Sequence, residues 1–260
     1  MQYELKSIFK DEMNLHLTLR KEELSSEAYR HYKHTVMLFD EYLHSINLSE
    51  KSIDEQVIEA WIKKISDGIS INTVGGHVHY IRQLLLFLID NGYYCFIPKT
   101  IASKDTYVPY LYTDHDIEAI FKVADSFTAP HAVKNKSITY EMPLLLRLLF
   151  CCGMRVSEAI NIKVGDIDLE RKLFILRVTK KYKQRLVPFG TELSEIIYLY
   201  CVSMEILHNS EAYLFPENDL YTHISANSAG NYYRIIRKKA GINNLQQSKK
   251  GRGACLHCFR

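Results

Sequence analysis

LLLRLLFCCGMRVSEAINIKVGDID, residues 144–168, is the stretch on which the reading of this chain turns. Its first nine residues are apolar except Arg147, which predicts a buried helix from about Tyr140 to Cys152. Gly153 ends it, because glycine takes positive φ without a Cβ clash. Arg155 and Glu158 follow, and three residues apart on a helical turn they share one face. A solvated pair of this kind contributes only about a few tenths of a kcal/mol, so alone it proves nothing. Asp166-Ile167-Asp168 reads as a turn. Beyond it, Leu173–Val178 and Arg185–Phe189 are β-prone and flank Thr179–Gln184, a hairpin whose tip carries Lys180, Lys181 and Lys183. Such a tip suits contact with a groove or a phosphate. It is equally an ordinary exposed place for lysines.

Outward from this stretch the pattern stays helical. Thr191 opens a helix through about Leu207, and another runs from Ala226 to Ala240, closed by Gly241. Upstream, Thr113 and Asp116 cap a helix carrying Ile117, Ile120, Phe121 and Ala124. Residues 113–260 therefore form a mostly helical domain with one small antiparallel sheet. Between Tyr94 and Thr113 the periodicity stops and Pro98 and Pro109 appear, so residues 95–112 are assigned as a linker. Residues 1–94 read as a bundle of about four helices. Leu5, Ile8, Phe9 and Met13 have helical spacing. Ser25 or Ser26 caps a stripe of Tyr29, Tyr32, Val36, Phe39 and Leu43, and Ser52 with Glu55 resembles a capping box ahead of Val57, Ile58, Trp61, Ile62 and Ile65. Asn72 precedes Val74, Val78, Ile81, Leu85 and Leu88, with Gly92 at the C-terminal cap position. The fold class is mainly α.

Composition narrows the function. At 260 residues, 47% hydrophobic and 24% charged, the chain has enough apolar content for real cores and is neither a disordered nor a collagenous chain. No apolar run approaches the roughly 20 residues a bilayer span needs, and the N-terminus MQYELKSIFKDEMN has no secretory apolar region, so a cytoplasmic, membrane-free protein is expected. Its six cysteines are expected as reduced thiols rather than a disulfide framework. The net charge of +3 is unevenly spread: residues 1–112 sum to −3 and residues 113–260 to +6. Residues 231–260 hold eight Lys and Arg and no acid, which fits either a polyanionic partner or a solvated basic tail. His257 and Arg260, again three apart, lie at the end of that stretch.

Taken together and in this order, these elements resemble the tyrosine recombinase (integrase) family. Residues 144–168 are similar to its first arginine box, with Arg155 in the place of the phosphate-clamping arginine and Glu158 in that of the supporting acid. FILRVTKKYKQRLVP, residues 174–188, resembles its strand, GKGxKxR turn and strand, placing the family lysine at Lys180. Thr179 and Lys181 stand where glycines are usual, so Lys181 remains a rival. LHCFR, residues 256–260, resembles the start of its LHxLRH box, with His257 and Arg260 as the second half of the clamp.

The resemblance implies site-specific DNA strand breakage and rejoining by a tyrosine attack on a backbone phosphate, through a 3′-phosphotyrosyl intermediate and with no metal or cofactor. Arg155 and Arg260 would bind the phosphate and stabilise charge building on its oxygens. Lys180 would protonate the leaving 5′-oxygen, with His257 assisting. In the family the nucleophilic tyrosine follows the second arginine, and all 18 tyrosines here precede it. None is nominated, and the polypeptide is expected to bind DNA without cleaving it alone. The resemblance also implies a phage or transposon source, a homotetramer on double-stranded DNA at full length, and a core-binding role for residues 1–94. Candidate DNA contacts are then Thr73, His79, Arg82 and Gln83 on the third helix, Lys181 and Lys183 at the hairpin, and Arg234, Arg237 and Lys238 as one basic helical face. Each of these also reads as an ordinary solvated position.

Rival readings are a DNA-binding remnant or regulator without strand transfer, a type IB topoisomerase, and metal or redox chemistry at Cys255-Leu-His-Cys258. The last lacks the second ligand pair of a structural zinc site.

Overall fold

Four amphipathic helices build the first of the two units into which the chain divides, Met1–Thr106 and Tyr107–Arg260. The computed structural model describes residues 4–102, 110–128, 137–177, 184–242 and 255–259. In the first unit these helices are α1 (Lys10–Glu23), α2 (Ser26–Ser45), α3 (Glu55–Ile65) and α4 (Ile71–Asp90). Their stripes meet in one core: Tyr32, Val36, Phe39, Trp61, Val78 and Ile81 are fully buried. The edge-on packing of Phe39 against Trp61, with centroids 5.1 Å apart, lies within it.

Two local expectations for this unit are corrected. Asp54, not Ser52, caps α3 by accepting the Val57 N–H, because Ser52 lies in an extended pair. That pair is β1 (Ser52–Ile53), parallel to β2 (Tyr94–Cys95). Ser70 caps α4, its hydroxyl accepting the Thr73 N–H. The stretch 95–101, assigned to a linker by its prolines, packs on this unit instead: Cys95 is buried, and Phe96, Ile97 and Ile101 lie against the core. The backbone N–H of Phe96 donates to the Ile53 carbonyl at 2.7 Å.

The second unit is also mainly helical. Thr113 and Asp116 form the expected capping box at the start of α5 (Asp114–Asp125). The apolar helix α6 (Ile138–Cys152) runs through the core and ends at Gly153, whose φ is +60°. Nothing lies within 4 Å of a Cβ built there, so Gly153→Ala meets backbone strain alone. It is expected to lower stability by about 1–2 kcal/mol in a thermal melt followed by circular dichroism; an unchanged melt would mean that this reversal does not need the left-handed conformation.

After the short α7 (Val156–Ile160) comes a three-stranded antiparallel sheet in the order β3 (Ile167–Asp168), β4 (Leu173–Leu176), β5 (Arg185–Pro188). Phe174, Leu176 and Val187 face the core. The expected hairpin is therefore present, and Ile167–Asp168, read as a turn, instead pairs with Phe174 and Leu173 as an edge strand. Helix α8 (Thr191–Ser203) stops short of Leu207, since the chain reverses at Glu205 with φ +56°. Helix α9 (Ala226–Lys239) and a 3-10 turn, Leu256–Phe259, complete the described part.

Candidate phosphate-binding site

The reversal at Gly153 drives Met154 into the core and leaves Arg155 as the extended N-cap residue of α7. Glu158, at the third position of that helix, folds back on the cap. Its Oε2 accepts the Arg155 backbone N–H at 2.8 Å, and its Oε1 accepts from Nη1 of Arg155 at 2.6 Å. The sequence-predicted pair is thus no solvated ion pair, since the Glu158 side chain is 3% exposed. A third group completes the cluster: Nη2 of Arg185, the first residue of β5, donates to Glu158 Oε2 at 2.8 Å. Burial pushes the Glu158 carboxyl up, but the Arg155 N–H, the Arg155 guanidinium and the neighbouring Arg185 outweigh it and hold it below the ordinary glutamate value. Glu158 is therefore ionised at neutral pH. It fixes two guanidiniums whose side chains stay 47% and 42% exposed, a planar donor array suited to an oxyanion.

Arg185 is the site residue that the sequence reading left without a role of its own. Its signals were its place at the close of the basic hairpin and at the last position of the GKGxKxR turn, while its carboxylate lies 27 residues back.

His257 lies exposed on the Leu256–Phe259 turn, seated by Leu256 and Phe259 on either side. Phe259 packs against Tyr112 at 5.6 Å and against Phe121, Phe150 and Tyr233 at 5.7 Å each. The hydroxyls of Tyr112 and Tyr233 lie 2.6 Å apart, and burial pushes both pKa values up. The Cys255 and Cys258 sulfurs lie 3.3 Å apart. The remaining proposed active-site residues, Lys180 and Arg260, lie outside the described residues, as do Lys181 and Lys183.

The structure sorts the other candidate DNA contacts. Arg237 does not join an exposed basic face. It is 7% exposed, because positions 233, 236 and 237 of α9 all turn inward, leaving Arg234 and Lys238 outside. On α4, Thr73 and His79 are exposed, but the Thr73 N–H and hydroxyl are both engaged with Ser70. Arg82 donates to the Pro98 carbonyl, and Gln83 accepts from Arg20 while bonding His79 at 2.9 Å, so both are half-buried struts of the first unit.

Comparison with solved structures shows the same architecture in DNA recombinases. The crystal structure of a lambda integrase (residues 75–356) dimer bound to a COC′ core site matches with a TM-score of 0.71 at 14% identity, covering 96% of this chain and 83% of that one. XerH site-specific recombinase bound to palindromic difH substrate, in a post-cleavage complex, matches with a TM-score of 0.70 at 18% identity, covering 89% and 66%. The fold is that of a tyrosine recombinase, mainly helical with a small antiparallel sheet. The pattern of the phage integrase family matches residues 111–256, and the chain belongs to that family. Among curated relatives, the tyrosine recombinase XerC of Thermodesulfovibrio yellowstonii is 24% identical over 208 residues, 79% of this chain and 65% of the relative. XerC of Staphylococcus aureus strain MSSA476 is 26% identical over 188 residues, 70% and 60%. The chain thus spans 60–65% of the length of these two relatives. No helix among the described residues is long and apolar enough to cross a membrane.

Proposed function

We propose that this chain binds double-stranded DNA as a member of the site-specific recombinases of the integrase type, which break and rejoin strands through a 3′-phosphotyrosyl intermediate, and that alone it grips a DNA phosphate without cleaving the strand. The observation that carries this reading is the buried, ionised Glu158 holding Arg155 half-exposed at the start of α7, an arrangement that costs desolvation and is of use where an anion must be gripped. In this reading Arg155 and Arg260 clamp the scissile phosphate, Lys180 protonates the departing 5′-oxygen, His257 assists, and neither metal nor cofactor is required. Residues 1–94 serve as the core-binding domain, with exposed His79 and Thr73 toward DNA, and Arg234 and Lys238 add phosphate contacts from the catalytic domain. The source is a phage or transposon, the place of action the cytoplasm, and the working assembly a homotetramer on DNA. A lambda integrase tetramer bound to a Holliday junction, with a TM-score of 0.70 to this chain, supports the last point by analogy of fold.

The test is a salt titration of duplex binding by mobility shift. Each phosphate neutralised contributes about −0.9 to the slope of log K against log salt, so several contacts give a steep fall. Absent binding at low salt, or binding indifferent to salt, would refute the reading. With a nicked suicide duplex, this 260-residue polypeptide is expected to form no covalent adduct. An adduct would identify a nucleophile among its tyrosines by peptide mapping.

A further inference from the structure

The acidic groups lining the cleft beside Glu158, a space of about 510 Å³, are matched to cations, but not all in the same ratio. Lys163 pairs with Glu211 at 2.7 Å, and Arg177 pairs with Asp166. Among the described residues each is one cation on one carboxylate. Glu158 carries two, with Arg155 on Oε1 and Arg185 on Oε2. One arginine would suffice to neutralise it. One carboxylate among two guanidiniums leaves a surplus positive charge, held on half-exposed side chains rather than in the core.

The donors point the same way. A carboxylate has about four acceptor sites and a guanidinium five N–H donors. Three of the acceptor positions on Glu158 are taken, by the Arg155 N–H, Arg155 Nη1 and Arg185 Nη2. Each guanidinium spends one of its five donors there and stays nearly half exposed, at 47% for Arg155 and 42% for Arg185. The two side chains come from unrelated elements, a helix N-cap and a strand start registered with Leu176, so nothing local in the sequence forces them together. A brace between β5 and α7 accounts for one ion pair. It does not account for a second fork of donors on the same acid.

We propose that Arg185 is a phosphate-binding residue of this site, gripping a DNA phosphate together with Arg155 while Glu158 positions both. The proposal rests on the DNA-binding reading above and adds to it a further arginine, the residue at the last position of the GKGxKxR turn, to which the sequence reading assigned no role of its own.

The test compares the parent chain with Arg185→Gln, Arg185→Lys and Arg177→Gln in salt titrations on one duplex, each variant first checked by thermal melt. Arg185→Gln is expected to flatten the log–log slope by about 0.9 and to weaken binding about tenfold near 0.1 M salt. Arg185→Lys keeps a charge against Glu158 and so keeps the fold if the glutamine variant does not. It loses the planar fork and is expected to bind about three- to tenfold more weakly at a nearly unchanged slope. Arg177→Gln, already matched by Asp166, is expected to keep the parent's slope. Folded Arg185 variants with the parent's affinity and slope would overturn the proposal and leave the DNA reading standing, as would an Arg177 variant that flattens the slope equally. A parent chain that binds no DNA would overturn both.

Discussion

Glu158→Gln is expected to lower the stability of the second unit by about 2 kcal/mol and its melting temperature by roughly 4–8 °C. The amide keeps one acceptor and turns the other into a donor. Whichever way it sits, that donor faces another donor, either Arg155 Nη1 or the Arg155 N–H with Arg185 Nη2. Removing one partner of a fully buried pair costs more, about 3–5 kcal/mol. Here the half-exposed arginines recover part of the loss by turning to water. The loss also has a pH signature. The Glu158 pKa is lower in the folded chain than its ordinary value of 4.5. The stabilisation is therefore complete above that value and is lost as pH falls through it toward the folded pKa, since the unfolded chain takes up the proton first. Parent and variant should converge in that acidic range. The sequence has a single tryptophan, Trp61 in the first unit, so its fluorescence reports on that unit. An E158Q melt that shifts Trp61 fluorescence and leaves the remaining ellipticity change untouched would sink this account.

The Glu158 cluster marks where sequence reading succeeds and where it stops. Arg155 and Glu158 were legible because three-residue spacing on a turn is a local geometric fact, and a glycine just before them announced the helix end. The burial of Glu158 was not legible, because it depends on α6 and α9 packing against α7. The pairing of Arg185 with Glu158 could not be read, although Arg185 ends the basic turn, since its partner lies 27 residues back and is reached only once β5 has found its register against β4. The same contrast holds for the fold. Long stripes such as Val74, Val78, Ile81, Leu85 and Leu88 repeat often enough to specify a helix face. Two-residue strands carry no period, so Ile167–Asp168 passed for a turn and Ser52 for a cap. Arg237 shows the limit on helix faces. It follows Tyr233 and Ile236 on one inward stripe, yet charge alone suggested the outside.

Acid should destabilise the first unit before most of its effect on Glu158 sets in. His16 is expected to withdraw about 3 kcal/mol of stability as the pH falls from 7 to 4. It sits mid-helix in KDEMNLHLTLRKEE, a segment so charged that a solvent position looks natural, yet it is 7% exposed. Its ring lies 4.4 Å from that of Phe87 and 5.7 Å from that of Tyr32, and neither ring nitrogen has a hydrogen-bond partner among the described residues. Burial, followed by the nearby positive Arg20, lowers its pKa from 6.5 to about 4, with Glu23 opposing weakly. Because the folded value is the lower one, the unfolded chain binds the proton first. Stability is complete above pH 6.5 and drains away down to about pH 4, below which both states are protonated and the loss is constant. Most of this window lies above that of Glu158, and His16 and Glu158 belong to different units, so the two can be read separately in one protein. Denaturant titrations followed by Trp61 fluorescence at pH 7.5, 6, 5 and 4 should show a midpoint falling steadily. His16→Phe keeps a flat ring against Phe87 and removes the titration, so its stability at pH 7.5 should lie within about 1.5 kcal/mol of the parent. Most of the acid slope should vanish, leaving the smaller part due to half-buried His77, whose pKa is lowered by burial and by His34 and His31. A parent midpoint equal at pH 7.5 and 5, or an unaltered slope in the phenylalanine variant, would place the acid sensitivity of this unit elsewhere than in His16.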